Sequence, residues 1–458
     1  MKKLKNGDNR ITKLTKCKSI KNNATLRLSE FVYMFCCDNQ HIVKNTFTGE
    51  VVRLNEREWD SFSYMKDNIV DYNYLLDNGL LDFAVSRYIV EKDYDEAEKY
   101  KQTVTILKMM SKNKPGLRTY TIFPTTGCNA RCVYCYEQGY QIRTMTRDTA
   151  DRLIDFICET RHEDEITLSW FGGEPMAAHE TISYICQSLA DRGIPYKSRM
   201  ITNASLFTKD LARKAKSLWN LKKVQVSLDG DRADYEIRKN YYAPDRHNYD
   251  TVMKAIHYLA NEGIKVSLRV NFDWENLSRL KGFLDEIKAE FGDMENISLH
   301  LAMIYQEQHK DTCVDLYRKM FELNKYINDI GIPQGSKSGK GIKLKLNSCM
   351  ADSMDKSIVI DPDGNFYNCE HLPENNTWGN IFDGITDKAR FDELSKPADI
   401  DEKCRHCCFL PQCTPFYKRG CPGWFEYCCE YNCLKTEYSL QNLIKFVEKN
   451  GEGYDENI

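Results

Sequence analysis

Three closely spaced cysteines are the residues of this chain best suited to chemistry. Cys128, Cys132 and Cys135 form a CxxxCxxC set in the stretch TGCNARCVYCYE, directly after an apolar run. Three thiolates at this spacing can hold three corners of a cubane 4Fe–4S cluster and leave its fourth iron open for chemistry. A structural zinc site is disfavoured because the motif contains no fourth Cys or His, although a remote ligand would complete one. The spacing therefore predicts a reactive iron–sulfur site.

This arrangement resembles the radical S-adenosylmethionine (radical SAM) enzymes, whose open iron is chelated by the amino and carboxylate groups of the methionine part of SAM. The stretch Gly172-Gly173-Glu174-Pro175 is similar to the GGEP motif of that family. Its two glycines allow close backbone approach, and its carboxylate suits an ammonium group. The resemblance implies that Glu174 contacts the SAM amino group.

The same resemblance implies further contacts to SAM. Tyr134 matches the family's aromatic position near the adenine, although such a residue alone is more often a core aromatic. Asn203 and Ser227 fall where the family places polar contacts, including those to the ribose. Arg238 is implied for the SAM carboxylate because a guanidinium pairs well with that group, with Arg246 as a neighbouring alternative.

The elements that must position these residues lie between Thr119 and Ile304. Alternating strand and helix patterns there imply parallel βα units. Six units fit an incomplete (β/α) barrel better than a full eightfold one, although an open doubly wound sheet has similar periodicity. The polar motifs follow the strands, so we expect them at the carboxyl ends, where such folds build active sites. The six predicted strands are Thr119–Pro124, Ile166–Phe171, Lys197–Thr202, Lys223–Leu228, Ile264–Asn271 and Ile297–Ile304.

The region from Thr25 to Tyr100 is predicted to form a small α+β unit. It is expected to contain two short helices, Glu56–Lys66 and Tyr72–Asn78. Many radical SAM enzymes that modify ribosomally made peptides carry a winged-helix-like module here, which binds the leader of the precursor peptide by strand addition. A purely structural lid is the alternative. The predicted strands are Phe31–Phe35, His41–Asn45 and Val51–Leu54.

The third region is cysteine-rich. Eight of the nineteen cysteines fall between Cys404 and Cys433, whereas none falls between Cys186 and Cys313. In a cytoplasmic chain this density favours metal or cluster binding over disulfides. The turn Pro362-Asp363-Gly364 is expected to present a further cysteine, Cys369, on the returning strand.

The cysteine pattern resembles the SPASM domain, a module that binds two auxiliary 4Fe–4S clusters, with a four-residue insertion before Cys421. The resemblance implies an outer cluster held by Cys404, Cys407, Cys413 and Cys433. It implies an inner cluster held by Cys349, Cys369 and Cys421. Cys428 or Cys429 would close the inner cluster, or that position stays open for substrate. A zinc ribbon is the alternative because it shares the CxxC element.

Composition excludes some partners. The chain has 458 residues, of which 42% are hydrophobic, and a net charge of -3. This is an ordinary globular composition with no electrostatic argument for nucleic acid or a membrane surface as the partner. The first 22 residues carry eight Lys or Arg but no signal-peptide core, and no apolar run is long enough to span a membrane. We therefore expect a cytoplasmic protein with neither nucleic acid nor membrane as partner.

These observations predict an α/β protein with four segments: a flexible basic tail (1–24), the winged-helix-like module (25–110), the partial barrel (111–335) and the SPASM domain (336–458). The resemblance implies three 4Fe–4S clusters, SAM, and an external electron donor such as flavodoxin or ferredoxin. It favours a peptide maturase that forms thioether crosslinks from Cys. The alternative reactions are carbon–carbon or carbon–oxygen crosslinking, epimerisation, and formylglycine formation of the anaerobic sulfatase-maturing type. A zinc-binding scaffold without radical chemistry is an alternative of a different class.

Overall fold

The computed structural model describes residues 20–111, 116–162, 165–334, 354, 356–371, 376–395, 400–413 and 428–450. Its first part is an α+β unit with two antiparallel three-stranded sheets, in the orders β5-β1-β6 and β2-β3-β4. The strands are β1 Thr25–Leu28, β2 Val32–Cys37, β3 Gln40–Asn45, β4 Val51–Leu54, β5 Val70–Asp71 and β6 Ile89–Glu91. The helices are α1 Glu56–Met65, α2 Tyr72–Asp77, α3 Leu81–Val85 and α4 Glu96–Ser111.

The elements predicted in this unit are confirmed as β2, β3, β4, α1 and α2. Helix α1 begins where Asn55 and Glu58 form a capping box, and α2 begins where Asp71 accepts a hydrogen bond from the backbone of Tyr74. The first sheet was not predicted. Its strands have four, two and three residues, which is too short for alternation to be visible in the sequence.

All six strands predicted for the barrel are present, and no strand end is shifted by more than two residues. They form consecutive parallel pairs from β7 to β12. Their order in the sheet follows the chain without reversal, which is the order of a (β/α) barrel and not of a doubly wound sheet. The strands are β7 Thr119–Ile122, β8 Ile166–Trp170, β9 Tyr196–Thr202, β10 Leu221–Leu228, β11 Lys265–Phe272 and β12 Ile297–Met303.

Helices separate these strands and cover one face of the sheet. Buried apolar side chains of strands and helices, such as Leu168, Val226, Ile256 and Phe283, form the main hydrophobic core. The helices are α5 Arg147–Thr160, α6 His179–Asp191, α7 Lys209–Ser217, α8 Arg232–Lys239, α9 Tyr249–Asn261, α10 Leu280–Phe291 and α11 Cys313–Asp329. Short 3₁₀ helices occupy Pro175–Ala178, Leu277–Arg279 and Tyr305–His309.

The last part of the chain extends the barrel sheet. Strand β13 (Ser357–Ile360) pairs in parallel with β7, and β14 (Phe366–Tyr367) returns antiparallel to β13. The predicted turn is confirmed between them, with the Gly364 amide donating to the Asp361 carbonyl and Gly364 at φ +87°. The remaining elements are β15 Gly379–Asn380, β16 Gly384–Ile385, α12 Lys388–Ser395, α13 Glu402–Arg405 and α14 Cys428–Asn450.

Helix α14 packs against the N-terminal unit. Leu440 and Ile444 of α14 form a buried cluster with Ile42 of β3 and Val51 of β4. In the parts of the chain that the structure describes, no helix has the length and apolar character needed to cross a membrane. Most of the predicted tail, residues 1–19, lies outside the described residues.

Candidate active site

The three cysteines lie on the loop of residues 123–146 that joins β7 to α5, here called the cysteine loop. Its turns are fixed internally: the Cys135 amide donates to the Cys132 carbonyl at 3.0 Å, and the Ala130 amide donates to the Cys128 Sγ at 3.4 Å. Burial raises the pKa of Cys128 to about 12 and that of Cys135 to about 11, and the three thiols act electrostatically on one another. Three thiols on one loop that interact electrostatically suit a cluster, because iron binding drives their deprotonation.

A second contact fixes the loop from the side. The Val133 amide donates to the Arg238 carbonyl at 3.1 Å, and the Arg131 amide donates to the Lys239 carbonyl at 3.1 Å. Ala130 also forms an isolated bridge with Tyr241. The segment around Cys132 therefore lies along the carboxyl end of α8.

Gly172 and Gly173 allow the loop after β8 to lie directly on the cysteine loop. A Cβ at Gly173 would lie 2.5 Å from the carbonyl oxygens of Thr126 and Gly127, and Gly172 has φ +116°. The Glu174 amide donates to the Gly127 carbonyl at 2.9 Å. The close approach predicted at these glycines is thus made, in this structure, to the backbone of the cysteine loop.

Glu174 is buried between the cysteine loop and the end of β9. Its carboxylate accepts hydrogen bonds from the Thr202 hydroxyl at 2.6 Å, the Asn203 amide at 2.7 Å and the Met176 amide at 3.1 Å. Burial raises the pKa of Glu174, and these donors oppose that effect. The carboxylate also acts electrostatically on Cys128, which places it beside the loop where an ammonium group of SAM was predicted to bind.

The other predicted SAM contacts lie around the same loop. The Asn203 side chain donates to the Asn129 Oδ1 at 2.9 Å. Arg238 is buried, with its Nη2 donating to Asp273 at 2.7 Å and its guanidinium 5.6 Å from the ring centroid of Tyr134. The Nε of Arg238 has no hydrogen-bond partner among the described residues.

Tyr134 is the centre of a polar cluster that the sequence did not predict as a unit. Its hydroxyl donates to the Asp229 carboxylate and accepts from Lys239 Nζ at 3.0 Å and from Asn271 Nδ2 at 3.1 Å. Lys239 also donates to the Ser227 hydroxyl at 2.9 Å. We call Tyr134, Ser227, Asp229, Lys239 and Asn271 the Tyr134 cluster.

Lys239 is the functional candidate that sequence reasoning missed. It is almost fully buried and lies 3.2 Å from Asp229. Burial lowers its pKa, but the charges of Asp229, Tyr134 and Cys132 raise the pKa overall, well above the usual value. Asp229 directly follows β10, and Asn271 lies one residue before the end of β11. Those positions were a usable signal for a polar site, whereas a lysine within a polar helix carries none.

Aromatic and acidic side chains from distant segments meet beside the cysteine loop. The rings of Tyr136 and His371 lie 4.2 Å apart, and Tyr305 lies 6.1 Å from His371. Burial raises the pKa of Glu137 to about 7. Because His371 follows Cys369 by two residues, the segment carrying Cys369 approaches the barrel site.

The outer auxiliary set lies in the described chain. Cys404 and Cys407 act electrostatically on each other, the Asn432 side chain donates to Cys413 at 3.3 Å, and Cys433 lies 3.2 Å from the Tyr33 hydroxyl. Cys408 contacts Cys407. Among the described residues, no three Cys, His, Asp or Glu side chains form a site for a single metal ion.

The inner auxiliary set is only partly visible. Cys369 lies in the described chain, whereas Cys349 and Cys421 lie outside it, as does the side chain of Cys428. The inner cluster therefore stays a prediction.

Comparison with known proteins agrees with this geometry. Residues 122–287 match the family model of the radical SAM superfamily. An uncharacterized protein of Methanocaldococcus jannaschii is 26% identical over 272 residues, covering 58% of this chain and 90% of that protein. The Fe-coproporphyrin III synthase of Methanosarcina barkeri is 25% identical over 187 residues, covering 40% of this chain and 44% of that protein.

Solved structures share the fold. Native anSMEcpe with bound AdoMet has a TM-score of 0.56 at 15% identity and covers 72% of this chain and 99% of its own. SuiB of Streptococcus suis bound to its precursor peptide SuiA has a TM-score of 0.51 at 16% identity and covers 88% of this chain and 99% of its own. The matched domain implies a 4Fe–4S cluster and SAM, for which the three loop thiols are suitable ligands. The chain therefore contains a radical SAM domain at residues 122–287, and the protein is an enzyme.

Proposed function

We propose that this enzyme is a peptide maturase that uses SAM to abstract a hydrogen atom from a ribosomally made precursor peptide and forms thioether crosslinks from Cys. The observation that carries the proposal is the sheet β2-β3-β4 ahead of the barrel. In the described chain, β2 is an edge strand that pairs with β3 alone. An edge strand offers unpaired backbone groups to an added peptide strand, which supports a role for residues 25–110 in leader binding.

Two comparisons support a peptide substrate. SuiB, with a similar fold over 88% of this chain, was solved bound to its precursor peptide. Native anSMEcpe, with a TM-score of 0.54, was solved with AdoMet and the Cp18Cys peptide. Both are similar to this chain in fold.

The proposed cofactors are three 4Fe–4S clusters and SAM. When bound, the first cluster supplies an electron that cleaves SAM to methionine and a 5′-deoxyadenosyl radical, and the auxiliary clusters supply an acceptor for the surplus electron. The first cluster would be held by Cys128, Cys132 and Cys135. The auxiliary clusters would be held by Cys404, Cys407, Cys413 and Cys433, and by Cys349, Cys369 and Cys421.

The chain's own residues would bind and orient SAM. Glu174 interacts with Cys128 and Arg238 lies beside Tyr134, where they would take the SAM amino group and carboxylate. Asn203, Ser227 and Tyr134 supply hydrogen-bonding groups on the same side of the sheet. The protein's contribution is to place one peptide C–H bond at the radical and to exclude water.

A formylglycine-forming enzyme of the anaerobic sulfatase-maturing type is the second candidate, favoured by the TM-score of anSMEcpe. That match covers 72% of this chain, whereas SuiB covers 88%. The larger share of this chain that SuiB covers favours the peptide maturase. A carbon–carbon crosslink or an epimerised residue would be a different product of the same site.

Mass spectrometry of a treated peptide tests the proposal. Anaerobically reconstituted enzyme is incubated with SAM, a reductant such as flavodoxin, and a candidate Cys-containing precursor peptide. A thioether removes two hydrogen atoms and blocks alkylation of the Cys, whereas formylglycine has an aldehyde in place of the CH2–SH group, with loss of sulfur and two hydrogen atoms and gain of one oxygen. Unchanged peptide mass with ongoing SAM cleavage would contradict the maturase function, and SAM cleavage by a Cys132→Ala variant would contradict the radical site.

A further inference from the structure

The strand face turned away from the helices is polar in the middle of the barrel. On β10 and β11, Val224, Val226, Leu268 and Val270 are buried in the core with the helices. The residues between them therefore face the inside of the partial barrel, because side chains alternate along a strand. A closed barrel fills its interior with bulky apolar side chains, but here the interior carries Ser169, Arg199, Lys223, Ser267, Arg269 and His300.

Strand register sets Arg199 level with Lys223 and places Arg269 four residues further toward the carboxyl end of the sheet. Arg199 is paired with Ser169 on one side and with Lys223 on the other. On the next pair of strands, Arg269 is directly opposite His300. We call Arg199, Lys223 and Arg269 the basic face.

The polar contacts of the two arginines are to neutral groups. Arg199 Nε donates to the Ser169 hydroxyl at 3.1 Å, and Arg269 Nε donates to the Asn271 side chain at 2.9 Å. Within the described parts of the chain, no carboxylate forms an ion pair with any member of the basic face. The terminal guanidinium nitrogens therefore remain available to an acceptor.

The charge of the basic face is only partly balanced. The Glu370 carboxylate interacts electrostatically with Arg199 and Arg269, so one carboxylate faces two guanidinium groups. Arg269 and Lys223 also act on the neighbouring imidazole: burial, and then these two charges, lower the pKa of His300 to about 4. A strand face with this excess of positive charge favours an anionic ligand.

We propose that the basic face binds a carboxylate of the substrate, with Arg199 and Arg269 as its guanidinium partners. The two arginines supply planar forks that match carboxylate geometry, and Lys223 adds a point charge. This inference rests on the proposed function and names its substrate class: a peptide with an acidic side chain inside the barrel. A small dicarboxylate would offer the same chemistry from another source.

Peptide binding to the reconstituted holoenzyme with SAM tests the inference. The probe is fluorescein-labelled hexaglutamate, measured by anisotropy against labelled hexaglutamine. The variants are Arg199→Gln, Arg269→Gln and the charge-conserving Arg199→Lys. Lys254→Gln, an exposed lysine of α9 on the outside of the barrel, is the matched control. The basic residues of segment 1–22 are the same in every variant. Their contribution to hexaglutamate binding therefore cancels when a variant is compared with the parent.

We expect hexaglutamate to bind at least about tenfold more tightly than hexaglutamine, and each Arg→Gln variant to lose about tenfold of that affinity. Arg199→Lys should lose less, and Lys254→Gln should bind as the parent does. If free glutarate displaces the labelled hexaglutamate, the natural ligand of the basic face is assigned as a small dicarboxylic acid. If glutarate does not displace it, the natural ligand is assigned as an acidic side chain of a peptide.

Equal binding of the two peptides, or Arg→Gln variants that bind as the parent does, would overturn the inference. This readout needs no turnover. A negative result with intact peptide modification would therefore remove the carboxylate site and leave the maturase function in place.

Discussion

The hydroxyl of Tyr134 donates to both carboxylate oxygens of Asp229, at 2.6 and 2.8 Å. Tyr134 lies between Cys132 and Cys135, and Asp229 follows the fourth barrel strand. The contact therefore ties the cysteine loop to the carboxyl end of the sheet. Lys239 and Asn271 complete the Tyr134 cluster, so the position of the cysteines depends on a buried charge network.

Replacing Lys239 with Met should destabilise the protein strongly. The change leaves the Asp229 carboxylate buried without its cation, a loss of about 3–5 kcal/mol in the free energy of unfolding. Urea unfolding measures it, with Lys254→Met as the exposed control. The double variant Lys239→Met/Asp229→Asn should recover part of the loss, and a double variant no more stable than the single one would show that the ion pair is not the cause.

Tyr134→Phe should retain the ring and remove the hydrogen bond to Asp229. We expect a loss of about 1.5–3 kcal/mol, because the acceptor is ionised. We also expect slower SAM cleavage, since the loop loses its tie to the sheet. Tyr242→Phe is the control because Tyr242 is exposed and contacts Arg131 through its ring. If both variants have the parent's stability and iron content, the hydroxyl does not position the loop.

Gly173→Ala should disturb the iron–sulfur site. The added Cβ would lie 2.5 Å from two carbonyl oxygens of the cysteine loop, so the loop must shift. Iron and sulfide content after anaerobic reconstitution should fall. Gly282→Ala in α10 is the matched control: its Cβ meets nothing within 4 Å, and removing a helical glycine should stabilise by up to about 1 kcal/mol. Full iron content in Gly173→Ala would contradict the proposed packing role.

His300 should make the protein less stable in mild acid. Burial, Arg269 and Lys223 lower the pKa of His300 to about 4. Below its usual value of about 6.5 the unfolded chain takes up a proton that the folded chain does not. The free energy of unfolding should therefore fall by about 2 kcal/mol between about pH 7.5 and pH 5 through this residue.

The variant His300→Gln should show a smaller loss of stability over the same pH range. Chemical unfolding of parent and variant at each pH isolates the contribution of His300 to the free energy of unfolding. His309→Gln, at an exposed histidine, should follow the parent. Parallel pH profiles for the parent and His300→Gln would show that His300 titrates normally.

The sequence by itself determined the features that depend on local spacing. The CxxxCxxC cysteines, the six barrel strands and helix α1 were all predicted, because ligand spacing, strand alternation and capping involve residues only a few positions apart. The placement of polar motifs after strands followed from the parallel topology.

Only the tertiary structure decided which distant side chains meet. Tyr134 and Lys239 are 105 positions apart, and Tyr33 reaches Cys433 across 400 positions. The register of neighbouring strands likewise set Arg199 beside Lys223. A local sequence pattern cannot predict a buried lysine or an unbalanced basic face. The free energy of a buried charge depends on partners that only folding brings into contact.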